Sequence, residues 1–166
     1  SRHMRVSPEQ ILIGSGAEYL YGLNIQVLGQ GQIYALEDPS YQKIEQVYRA
    51  NGISIDKLRM GKSGIETSEL IRTRARVLHV TPFNSYPSGI TATASKRAEY
   101  LRFARERHAM IIEDDFDSEF TLLSKPEDTL FSMEPEGHVI YMNSFSKTIA
   151  PSIRTGYLVL PPQMVP

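Results

Sequence analysis

Short runs of β-branched and aromatic residues alternate with segments of helical period along almost the whole chain, and that alternation leaves few folds open. The strand-like runs cover residues 11–13, 32–36, 53–56, 76–80, 109–112, 139–142 and 156–160. Helical segments fall between them at residues 17–28, 41–50, 67–74 and 93–108. The pattern predicts an α/β domain, a mostly parallel seven-stranded sheet with helices on both faces. Residues 142–156 leave no room for a full crossover helix, so the last strand is predicted antiparallel to its neighbours. The alternating run at residues 53–56 is expected at a sheet edge, and residues 121–136 as an irregular loop.

Local signals refine the elements. Ser15 is the expected N-cap of the first long helix, and Asn51-Gly52 stops the second. In the segment 93–108, Ala94, Ala98, Leu101 and Ala104 form the expected apolar side. Gly61-Lys62-Ser63 resembles the tail of a phosphate-binding loop, but Asp56 stands where its first glycine belongs, so it reads as a turn. Lys and Arg number 18 against 19 Asp and Glu, so no basic field draws this chain to nucleic acid. The absence of cysteine excludes disulfides and thiolate metal sites. No apolar run reaches the ~18 residues of a membrane helix and no signal-peptide pattern is visible, which makes the cytoplasm the default location.

Polar chemistry gathers where strands end. The apolar run Val139-Ile140-Tyr141-Met142 empties into Asn143-Ser144-Phe145-Ser146-Lys147, with Arg154 shortly after. That edge is where open α/β sheets bind ligands. Lys147 offers an amine for a Schiff base, and Ser144, Ser146 and Arg154 offer donors to a phosphate. An aldehyde and a phosphate on one ligand describe pyridoxal 5′-phosphate (PLP). The competing reading is a solvated loop with an ordinary surface lysine. Ser15, Gly16 and Ala17 at a strand-to-helix junction would leave backbone N–H groups to take an anion. The run Glu113-Asp114-Asp115-Phe116-Asp117-Ser118-Glu119 lacks calcium-loop spacing, since no glycine holds the sixth place from Asp115. His3, His79, His108 and His138 are scattered without ligand spacing and read as structural or exposed.

In order, Ser15-Gly16-Ala17, Glu37-Asp38-Pro39-Ser40-Tyr41, Tyr86-Pro87-Ser88-Gly89, Glu113 to Phe120, Ser144-Phe145-Ser146-Lys147 and Arg154-Thr155-Gly156-Tyr157 resemble the large domain of fold-type I PLP-dependent aminotransferases. More narrowly, the chain resembles the aminotransferase-like domain of MocR-type transcriptional regulators of the GntR superfamily, over residues 7–162. The resemblance implies that Lys147 forms the aldimine, that Asp114 pairs with the pyridinium nitrogen, and that Tyr41 stacks on the ring. It also implies that Ser15, Gly16 and Ala17 present a helix N-terminus to the phosphate, completed by Ser144, Ser146 and Arg154. Glu113 should point to the opposite face from Asp114.

Three departures qualify it. Phe116 stands where such regulators carry a tyrosine reaching the cofactor phenolate oxygen. Tyr86-Pro87-Ser88-Gly89 replaces the Asn-Pro-Thr-Gly of aminotransferases. Asn84-Ser85 replaces a His-Gln pair, and Asn84 is the candidate contact to the ring oxygen. Ser1 to Met4 reads as a cloning scar and residues 5–166 as a truncated PLP-binding large domain, without a winged-helix DNA-binding domain or a small domain. The function implied is a sensor in which bound PLP reads an amine or amino acid, DNA being contacted only by the winged-helix domain and the full-length protein being a homodimer. An aminotransferase between amino acids and 2-oxo acids is the alternative, although this fragment is not expected to turn over. A third reading, a magnesium-dependent phosphate-binding domain using Asp114 and Asp115, leaves Tyr41 and the serines unexplained.

Overall fold

The computed structural model describes residues 4–115, 128–144 and 155–166. Their elements are β1 (Ile11–Gly14), α1 (Ala17–Leu28), β2 (Ile33–Asp38), α2 (Gln42–Ala50), β3 (Ser54–Gly61), β4 (Gly64–Ile65), α3 (Thr67–Arg72), β5 (Val77–Val80), α4 (Ala94–Arg107), β6 (Met110–Asp114), α5 (Leu130–Met133), β7 (Val139–Ser144) and β8 (Gly156–Val159). Among the described residues the strands make one sheet in the order β1-β8-β7-β6-β5-β2-β3-β4. β3, β2, β5, β6 and β7 run parallel, and β8 returns antiparallel to β7 as expected.

The central strands are covered twice, which is why they read as unbroken apolar runs. Every residue of β5 and of β7 is buried. Alternation sends Val77, Ile112, Ile140 and Met142 towards α1 and α2, where they meet Leu20, Tyr21, Ile25, Ile44 and Tyr48. Leu78, Ile111 and Val139 go the other way, to Leu70 of α3, Tyr100 and Leu101 of α4, and Leu130 of α5. No helix among the described residues is long and apolar enough to cross a membrane.

Several expectations need correction. The sheet has an eighth strand, the two-residue β4, which folds back on β3 through Lys62-Ser63 and confirms the turn there. β3 is therefore longer than its alternating core and lies one place in from the edge. Gly16 caps α1 at φ 98, leaving Ser15 outside the helix, since only a residue without Cβ makes that turn cheaply. The short helix α5 interrupts the stretch expected to be irregular, with the Thr129 side chain accepting from the Ser132 N–H.

The buried side of α4 is Lys96, Arg97, Tyr100, Leu101, Phe103 and Ala104, while Ala94 and Ala98 are exposed. A methyl group has little area to bury, so the rings of Tyr100 and Phe103 decide the rotation of the helix. Lys96 and Arg97 bury their stems while their heads find partners: Lys96 Nζ pairs with Glu99 at 2.8 Å, and Arg97 Nη1 donates to the Ala92 carbonyl at 2.7 Å.

Tyr100 also carries a polar duty, because its hydroxyl accepts from the Ile65 N–H at 2.8 Å and so pins β4 to α4. Tyr100→Phe keeps the ring and orphans a buried amide. It should lower stability by about 1–3 kcal/mol in urea unfolding at unchanged m value. A loss below about 0.5 kcal/mol would show that the Ile65 amide needs no such partner.

Candidate functional site

Parallel strands deliver their last residues to one edge of the sheet: Asp38 of β2, Val80 of β5, Asp114 of β6 and Ser144 of β7. The antiparallel β8 adds the N-terminus of α1. Gly156 at its start is paired on one side with Ser144 and on the other with Gly14, which leads directly into Ser15-Gly16-Ala17. That junction admits only glycine, since a Cβ on residue 156 would lie 2.7 Å from Leu20 Cδ1 and 2.8 Å from the Asn143 carbonyl oxygen. No side chain caps α1. Its first amides therefore offer the open helix N-terminus that suits an anion, beside the buried Ser144.

Three consecutive acids at the end of β6 take three different partners. Asp114 is 4% exposed, and its Oδ2 lies 3.0 Å from Nε2 of His79 on β5. Nδ1 of His79 is 2.7 Å from the Tyr48 hydroxyl of α2, which also accepts from Asn24 Nδ2 of α1 at 3.4 Å. The Tyr21 ring meets His79 edge-on at 5.5 Å, and burial together with the nearby Asp114 carboxylate pushes the Tyr21 hydroxyl well above the usual range.

Glu113 points to the opposite face, as alternation requires, and accepts the Leu130 and Phe131 N–H groups of α5 at 2.7 and 3.0 Å. Asp115 accepts from the Tyr141 hydroxyl of β7 at 2.6 Å. Asp114 and Asp115 are thus engaged by strands on opposite sides of β6 and diverge, whereas the magnesium reading needs them to converge.

Loops after β2 and β5 supply the front of the site. Tyr41 precedes α2, is 43% exposed and meets the Tyr86 ring edge-on at 5.9 Å. Asn84 is exposed, at φ 57, with its N–H bonded to Thr91 Oγ1 at 3.0 Å. Underneath, the buried Glu37 ties the loops together: one carboxylate oxygen accepts the Thr81 N–H at 3.1 Å and the Ser85 hydroxyl at 2.9 Å. Burial pushes the Glu37 carboxyl up to about 8.

Of the residues expected in the site, the fold brings together Ser15, Gly16, Ala17, Asp114 and Ser144 at the sheet edge, with Tyr41 and Asn84 on its loops. Phe116, Ser146, Lys147 and Arg154 lie outside the described residues. Sequence reasoning read His79 as structural or exposed and gave no role to Tyr48, Asn24 or Glu37. The signal for His79 was present, since a polar residue inside the apolar run Val77-Leu78-His79-Val80 must find a buried partner. Elsewhere, the side chains of Glu134, Glu136 and His138 converge, but the Glu134 carboxylate already accepts the N–H groups of Glu136 and His138 at 3.0 and 2.7 Å.

Residues 1–165 match the family described as aminotransferase class I and II. The chain is 32% identical to the HTH-type transcriptional regulator YhdI of Bacillus subtilis, covering 99% of this chain and 35% of that protein. It is 30% identical to the probable rhizopine catabolism regulatory protein MocR of Rhizobium meliloti, over 99% of this chain and 34% of that one. The structure of the α-aminoadipate aminotransferase LysN from Thermus thermophilus superposes with a TM-score of 0.85 at 30% identity, covering 95% of this chain and 43% of that one. The chain thus spans about a third of the length of these regulators.

The raised Glu37 carboxyl gives a pH dependence that can be measured. From its ordinary 4.5 up to about 8 the unfolded chain releases this proton while the folded chain keeps it. The contribution to stability therefore falls across that window, by at most about 5 kcal/mol, and levels off above it. Glu37→Gln keeps an acceptor for Thr81 and Ser85 and cannot ionise. Its stability relative to wild type should climb from pH 5 to pH 8 in denaturant unfolding. A difference independent of pH would show that Glu37 does not titrate in this window.

Proposed function

The chain belongs to the aminotransferase class I and II family, and on that premise we propose that it binds PLP at the C-terminal edge of its sheet and serves as the effector-sensing part of a MocR-type transcriptional regulator. One observation carries the cofactor reading: a buried, hydrogen-bonded carboxylate, Asp114, stands at the same edge as an uncapped helix N-terminus and the hydroxyl of Ser144. This set suits a ligand with a protonated ring nitrogen at one end and a phosphate at the other. Asp114 would hold the ring nitrogen. Ser15, Gly16, Ala17 and Ser144 would hold the phosphate with Ser146 and Arg154, and Tyr41 would cover the ring. Lys147, three residues after Ser144, supplies the amine for covalent attachment. When bound, PLP provides an electrophilic aldehyde and an electron-withdrawing ring that distinguish amines from other metabolites.

Identities of 30–32% to proteins described as transcriptional regulators favour the sensor, reading an amine or amino acid within a homodimer whose DNA contacts are made elsewhere in the protein. The 30% identity to the 2-aminoadipate transaminase of Thermus thermophilus supports a second reading, amino-group transfer to a 2-oxo acid.

Treatment with PLP followed by borohydride should leave a pyridoxyl group on Lys147, located by peptide mass spectrometry. Modification of other lysines, undiminished in Lys147→Ala, would remove Lys147 from the site. Asp114→Asn should weaken PLP binding at least ~10-fold, as loss of a charge-assisted bond does, and Asp115→Asn should do less. Multiple-turnover keto-acid release from an amino-acid panel, abolished in Lys147→Ala, would favour the transaminase over the sensor.

A further inference from the structure

Behind Asp114 a line of buried polar side chains crosses from the helical layer into the sheet: Asn24 of α1, Tyr48 of α2, His79 of β5, then Asp114. Its links are 3.4, 2.7 and 3.0 Å, and no member is more than 4% exposed. The surroundings are apolar, with Leu36, Val77, Ile112 and Met142 in the same cluster, so each bond is strengthened and each unmet group would be costly.

The donor inventory gives this line one direction when Asp114 is a carboxylate. Asp114 can only accept, so His79 must donate from Nε2. In a neutral ring Nδ1 then presents a lone pair, which accepts from the Tyr48 hydroxyl, and the Tyr48 oxygen in turn accepts from the Asn24 amide. Asn24 fits that end of the line, since its Nδ2 is engaged while its Oδ1, though buried, has no hydrogen-bond partner. Among the described residues, the Tyr21 hydroxyl and, more distantly, the Glu37 carboxyl also face Asp114.

We infer that Asn24, Tyr48 and His79 form a directed positioning relay that holds Asp114 in one orientation and as an acceptor, with its remaining lone pairs turned to the ring nitrogen of bound PLP. The identity of what is positioned rests on the function proposed above; the order of the hydrogen bonds is a property of the cofactor-free chain. His79 and Tyr48 are positioning residues, acting only through Asp114. A His79 that merely filled space would be indifferent to which ring nitrogen carries the proton. The relay requires Nε2.

Long-range ¹H–¹⁵N NMR of the cofactor-free chain should find the His79 proton on Nε2 and Nδ1 as an acceptor, with the Nδ1 resonance displaced in Tyr48→Phe. PLP titrations should show about a tenfold or greater loss of affinity in His79→Phe, with His79→Gln, whose amide can still donate, recovering most of it. Where His79→Phe does not fold by thermal unfolding, Tyr48→Phe carries the same test, with weaker PLP binding expected. A proton on Nδ1, or on both nitrogens, would overturn the relay. So would His79→Phe or Tyr48→Phe binding PLP within about twofold of wild type. A wild-type chain that does not bind PLP would instead overturn the proposed function, while the ring-proton assignment would still decide the order of the relay.

Discussion

Burial of the central strands on both faces is the constraint from which the rest follows. A strand covered twice has no wet side on which to leave a polar group, so every acid carried to its end must be met by a donor from the protein or by a ligand. β6 ends in Glu113 and Asp114, which alternation turns to opposite faces, and Asp115 follows directly. Glu113 holds the start of α5, Asp115 takes the Tyr141 hydroxyl, and Asp114 takes His79. The same demand on β2 leaves Glu37 gripping the loop after β5. The acids that shape the fold and the acid suited to a ligand are thus one set, separated by which neighbour reaches them.

Closure by β8 is the second organising event. A parallel sheet alone would end at β7, with its C-terminal residues open. The return strand places Gly156 between Ser144 and Gly14 and so carries the α1 N-terminus to the same edge. A carboxylate and an uncapped helix N-terminus, contributed by residues about a hundred positions apart, then stand at one edge of the sheet. Loops from β2 and β5 add an aromatic cover, Tyr41 against Tyr86. Such an arrangement does not by itself fix a reaction, because one fold hosts many functions.

Much of this was legible along the chain. The strand and helix alternation, the antiparallel last strand and the turn at Gly61-Lys62-Ser63 are local or nearly local properties, carried by hydrophobic period, by connection length and by glycine. The opposition of Glu113 and Asp114 is equally local, because neighbours on a strand face opposite ways. Motif order also named Ser15 to Ala17, Tyr41, Asp114 and Ser144, which the fold carries to the C-terminal edge of the sheet or to its loops. Errors arose where local pattern and bulk disagreed. In α4 the alanine period marked one side and the rings of Tyr100 and Phe103 buried another. At α1 a serine stood one place too early, and the backbone conformation chose Gly16.

The sequence by itself determined the class of sheet and the direction of most strands, because periods of two and 3.6 residues mark the elements and the length of each connection decides whether a crossover fits. Only the tertiary structure decided that His79 is the neighbour of Asp114, that Tyr48 and Asn24 stand behind it, and that Glu37 reaches Thr81 and Ser85. Those pairings join residues 24 to 48 positions apart along the chain, brought together by strand order and by the packing of α1 and α2 on the sheet. Strand order is a global solution to burying two apolar faces at once, and no local stretch of residues encodes it.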